Sequence, residues 1–131
     1  LPMIEYNLEE RTAKFGESVI TFCNKLPRNE ITRPLITQLV KAATSVGANY
    51  CEADDAESRE DFKHKIGISK KEARESKHFL RMIAVALPEF KDQAREIWSE
   101  ARELHLIFNA IYRKVGIKKI GHSLGQLDQL D

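Results

Sequence analysis

A chain of 131 residues with 42% hydrophobic and 31% charged residues can bury one core of its own, which excludes disorder and a membrane protein. Its net charge of +1 gives no global argument for a polyanionic partner. The two cysteines, Cys23 and Cys51, lack the spacing of a zinc or redox motif, and no apolar run approaches the roughly 20 residues that cross a bilayer. A single cytoplasmic domain without membrane, metal or cofactor is the expectation, with Met3 as its native start after Leu1 and Pro2.

In chain order, residues 1–7 read as an N-terminal segment. Leu8, Thr12, Phe15, Val19, Phe22 and Leu26 then recur at steps of four and three, the rhythm of a helix in a bundle. This first helix is expected over 8–26, where Pro27 stops it. Thr32-Arg33-Pro34 predicts the start of a second helix, with Thr32 capping free amides and Pro34 tolerated in the first turn. Its stripe is Leu35, Leu39, Ala43, Val46 and Tyr50, broadened by Ile36 and Val40, and Gly47-Ala48 predicts close helix approach.

Ser58 followed by Asp61 resembles a capping pair for the third helix. Phe62, Ile66, Ser69, Ala73, Ser76, Leu80, Ile83 and Leu87 keep its rhythm, with small residues at the centre. Pro88 reads as the first residue of the fourth helix, whose stripe is Phe90, Ala94, Ile97, Ala101, Leu104, Phe108 and Ile111. Short connections predict an all-α, antiparallel up-down four-helix bundle over 8–115. Residues 116–131 read as a tail, either frayed or a short helix docking on a neighbouring subunit through Ile117, Ile120, Leu124, Leu127 and Leu130.

Charge is uneven within the third helix. At about 100° per residue, Lys63, Lys70, Arg74, Lys77 and Arg81 fall within roughly 60° of one another, well away from the core line, and form a candidate nucleic-acid surface. Set against it is an ordinary solvated face. With no interleaved aromatics in the stripe, binding is expected to be electrostatic and weakly sequence-specific.

Glu75 and His78 have the Glu-x-x-His spacing of a carboxylate-bridged metal pair, but the needed second copy is missing. Asp61 and His64 lie on the same helix, and Arg102 stands where His105 would need a carboxylate. Arg59 and His64 match the Arg-x4-x6-His spacing of certain helical ribonucleases, in which the two would polarise a phosphate and shuttle a proton. Ser45, Asn49 and Glu52 share one face of the second helix, with Glu72, Glu75 and Ser76 offered from the third. These predict a polar network that fixes register or a subunit contact, with Arg11 as counter-ion.

A family resemblance rests on Arg11-Thr12 with Phe15; Gln38-Leu39; the run Thr44-Ser45-Val46-Gly47-Ala48-Asn49-Tyr50-Cys51-Glu52-Ala53; Asp61-Phe62 with Lys65-Ile66; and Lys71-Glu72-Ala73-Arg74-Glu75-Ser76 with Phe79-Leu80. Over about 8–115 the chain resembles the small bacterial four-helix-bundle proteins encoded by intervening sequences in 23S rRNA genes. The resemblance implies a homo-oligomeric ring, a homopentamer, with no established enzyme activity. A related branch, the accessory protein of diversity-generating retroelements, is basic and brings nucleic acid to a reverse transcriptase. The present chain departs from that branch in its near-neutral charge and carries Phe79 where relatives have a bulkier or more polar aromatic.

The expected function is therefore a non-catalytic scaffold with RNA or DNA as partner. A scaffold recruiting a protein such as a reverse transcriptase and a metal-independent ribonuclease using Arg59 and His64 are the alternatives.

Overall fold

The computed structural model describes residues 7–126, with side chains described through Gly116. Four helices follow in order: α1 (Leu8–Asn24), α2 (Thr32–Asp54), α3 (Arg59–Ala86) and α4 (Lys91–Gln126), the last preceded by a 3-10 turn at Pro88–Phe90. They form an all-α, up-down four-helix bundle in which α2 packs against α1 and α3, and α3 against α4. The contact between α1 and α4 is much smaller.

Local chemistry sets the helix starts. Asn7 accepts a hydrogen bond from the Glu10 amide, and Ser58 Oγ accepts one from the Asp61 amide at 3.0 Å. At α2 the expected cap moves. Asn29 Oδ1 accepts from the amides of Ile31 and Thr32 at 2.8 and 2.9 Å, while Thr32 turns back to accept from the Asn29 amide and donate to the Pro27 carbonyl. Asn29 wins because its side chain satisfies two free amides at once, and Thr32 is left buried against the connection.

The rhythm predicted for α1 is buried at every position, from Leu8 to Leu26. So is that of α3 from Ile66 through Leu87, including Ser69 and Ser76, which are fully inaccessible; Phe62 is half-buried. Those small residues let α2 come close enough for Ser69 Oγ to donate to the Val46 carbonyl across the interface at 3.0 Å. Between α1 and α2 the close approach is at Gly47, where an added methyl would stand 3.0 Å from Thr12 Oγ1. Phe15, Leu39, Ile66, Leu80, Leu104 and Phe108 fill the centre. Each fully buried side chain of this size stabilises the fold by about 1.5–3 kcal/mol.

Three boundaries differ from the sequence reading, one of them at Pro88, which opens the 3-10 turn so that α4 starts only at Lys91. The first helix ends at Asn24, before Leu26 and Pro27. The fourth continues past Val115 to Gln126, so glycines at 116, 121 and 125 do not end it, and the expected tail begins as helix. The rest of that tail, 127–131, and residues 1–6 of the N-terminal segment lie outside the described residues.

Candidate nucleic-acid interface

The five bases of the α3 stripe do share one face, but it borders the core instead of lying well away from it. Lys63, Lys70 and Lys77 are half-buried, and only Arg74 and Arg81 are exposed. Seven residues advance a helix by nearly two full turns, so the three lysines line up and lean on the neighbouring α4. There Trp98, His105 and Tyr112 repeat the same spacing of seven in the antiparallel direction. The two lines meet as a ladder.

Lys63 Nζ stands 4.8 Å and Lys70 Nζ 4.7 Å from the centre of the Tyr112 ring, and Lys77 Nζ stands 5.6 Å from that of Trp98. These are cation–π distances, worth about 0.5–1 kcal/mol each at partly exposed sites. Gly67 makes room for the contact, since a methyl there would lie 3.0 Å from Tyr112 Cε1. The expectation that aromatics do not interleave with the stripe is thus corrected, because α4, not α3, supplies them. The signal was present as two seven-residue repeats, hidden because Trp98 and Tyr112 sit beside the α4 core stripe and had no assigned role.

Electrostatics concentrates positive potential there. Among the described residues none of the five bases is in a salt bridge, whereas Arg11, Lys14, Lys65 and Lys71 each meet a carboxylate. Burial, and then the charges of Lys77, Lys70 and Arg74, hold His105 below the usual histidine range. An unneutralised row of cations over aromatic rings can take phosphates on its ammonium and guanidinium groups and offer ring faces to unstacked bases.

The predicted polar network does not assemble within one chain. Asn49 Nδ2 donates to the Ser45 carbonyl and Ser76 Oγ to the Glu72 carbonyl, each on its own helix, and Glu52 pairs with Lys65. Glu72, pushed above its usual range by burial and by Glu75, lies 3.8 Å from Lys71. Arg11 is no counter-ion to that face. Its guanidinium grips both carboxylate oxygens of Glu100 at 2.8 and 2.9 Å, with Glu103 at 3.6 Å, and so ties α1 to α4. Polar contacts that do join α2 to α3 are the Glu52–Lys65 ion pair and the Ser69–Val46 hydrogen bond, whose serine was read from sequence only as a small core position.

Arg59 and His64 are both exposed and five residues apart on α3, which turns them roughly 140° from one another. They do not converge within one chain. Among the described residues, no three of the histidine, cysteine, aspartate and glutamate side chains gather where they could hold a metal ion, and no helix is long and apolar enough to cross a membrane.

The family model of the 23S rRNA-intervening sequence protein matches residues 5–110. The chain belongs to that family. The match takes in all of the α3 stripe together with Trp98 and His105, and stops just short of Tyr112. A similar fold is seen in a crystal structure from Bacteroides thetaiotaomicron, of a protein with unknown function from the S23 ribosomal protein family. The two agree with a TM-score of 0.71 at 24% identity, over 79% of this chain and 96% of that one. At that identity the likeness shows the fold. No protein of curated description matches the chain.

Proposed function

We propose that this member of the 23S rRNA-intervening sequence protein family is a non-catalytic, cytoplasmic scaffold that self-associates and holds RNA or DNA along the α3/α4 face. The observation carrying this reading is the row of Lys63, Lys70, Arg74, Lys77 and Arg81, in no salt bridge among the described residues, three of them poised over Trp98 and Tyr112. Five like charges on one face repel one another, and a phosphate backbone relieves that repulsion while releasing its own counterions. The near-neutral net charge is no obstacle, because within 63–81 the bases Lys63, Lys65, Lys70, Lys71, Arg74, Lys77 and Arg81 face only Glu72 and Glu75.

Self-association into a homopentamer is carried over from the family resemblance and is tested by light scattering. Binding is tested by fluorescence anisotropy with a labelled single strand of RNA and with duplex DNA. Charge reversal at Lys70, Arg74 and Lys77 should abolish binding, and His64→Ala should leave it unchanged. Wild-type protein that ignores both nucleic acids at low salt would refute the reading and leave recruitment of a protein such as a reverse transcriptase in its place. Cleavage of the RNA that disappears with His64→Ala would establish the ribonuclease instead.

A further inference from the structure

Where α3 ends and α4 begins, a groove of about 520 Å³ opens beside the stripe. Ala84, Val85 and Trp98 give it an apolar floor and wall and Arg81, Lys91 and Arg95 also line it, with no acid in its lining among the described residues. Val85 is 74% exposed, the most exposed large apolar side chain among the described residues. Water-facing apolar surface beside cationic side chains fits an occupant that brings apolar side chains together with carboxylates.

The chain itself contains such a segment. In Leu124-Gly125-Gln126-Leu127-Asp128-Gln129-Leu130-Asp131, leucines recur every third residue and both charged residues are acids. A chain cannot fill its own groove with it. Trp98 and Gln126 are 28 residues apart on α4, about 42 Å at 1.5 Å per residue. Asp131 is five residues past Gln126 and reaches back at most about 18 Å. We propose that the groove of one chain takes the Leu124–Asp131 segment of a second copy, with Leu127 and Leu130 on the apolar floor and Asp128 and Asp131 against Lys91 and Arg95. Such a contact is head-to-tail, so each copy offers one groove and one segment, and the association repeats from copy to copy.

The inference specifies the self-association of the proposed function and is tested apart from the stripe. The full chain is compared by light scattering with a groove reversal (Lys91→Glu with Arg95→Glu), a segment reversal (Asp128→Lys with Asp131→Lys) and all four changes together. Helicity and melting temperature are followed by circular dichroism. Each two-site reversal should raise the concentration at which the assembly dissociates by tenfold or more, and the four-site exchange should restore it. An assembly indifferent to both reversals, or not rescued by the exchange, overturns the inference while leaving nucleic-acid binding and self-association standing. A wild-type monomer at all concentrations overturns it together with self-association.

Discussion

Two glycines inside helices of this bundle should respond to the same added methyl with opposite signs. Replacing a helix-interior glycine by alanine returns about 1 kcal/mol in an isolated helix, so any departure measures the surroundings. At Gly47 the methyl meets Thr12 Oγ1 at 3.0 Å and Thr12 Cβ at 3.3 Å. Thr12 is 2% exposed and donates to the Leu8 carbonyl at 2.6 Å, so it cannot yield without losing that bond or pushing α1 off α2. Overpacking of this kind costs about 1–3 kcal/mol, leaving Gly47→Ala up to about 2 kcal/mol less stable than the parent.

At Gly67 the neighbour is the edge of the Tyr112 ring, also 3.0 Å away, but it is the far end of a half-exposed side chain that can tilt outward. Gly67→Ala should therefore be about 0.5–1 kcal/mol more stable. Urea denaturation followed by circular dichroism reads both, and equal signs for the two variants would refute the reasoning. The tilted ring also leaves Lys63 and Lys70, so Gly67→Ala should bind RNA more weakly while melting higher.

Further expectations concern charge and exposure. His105 has a folded pKa below its unfolded value, so between the two the unfolded chain binds more protons. Its contribution to stability is intact above about pH 6.5 and falls as acid takes the pH below that value. A bound polyanion offsets Lys77, Lys70 and Arg74, so RNA affinity should rise from pH 8 to pH 6 more steeply in the wild type than in His105→Gln; parallel pH profiles would disprove the placement of His105. Arg11→Ala should cost about 0.5–1 kcal/mol by chemical denaturation, a modest figure because the bidentate pair with Glu100 is about a third exposed. Cys51 is exposed and Cys23 buried, with burial pushing its thiol up to about 11, so a thiol reagent should label one site in the native protein and two in denaturant.

Most of the fold was legible because helix rhythm reports burial directly. Steps of four and three from Leu8 to Leu26 and from Phe62 to Leu87 are the core-facing lines of α1 and α3. What escaped were features decided between helices. Arg11 turns to Glu100 on α4, because α1 and α4 close the bundle and two carboxylates wait there, whereas Asn49 Nδ2 donates to the Ser45 backbone carbonyl along its own helix. Asn29 replaced Thr32 as the cap because a connection of only a few residues folds its side chain back over the helix start. The basic stripe was visible on α3 alone, but its aromatic half belongs to α4. No periodicity within one helix reveals that Lys63, Lys70 and Lys77 will lie across Tyr112 and Trp98.

Trp98 is the sole tryptophan of the chain and stands inside the proposed interface, so its own emission reports on that surface. The most direct measurement is a titration of the protein with a single-stranded RNA oligonucleotide across a salt series, read by Trp98 fluorescence. If all five stripe bases meet phosphates, log K should fall with log salt at a slope of about −3.5, close to a hundredfold loss between 50 and 200 mM. Replacing Lys63, Lys70 and Lys77 by glutamine should reduce the slope to about −1.4. The account predicts quenching of Trp98 together with that loss of slope; emission that never changes, or affinity indifferent to salt and to the three substitutions, would contradict it.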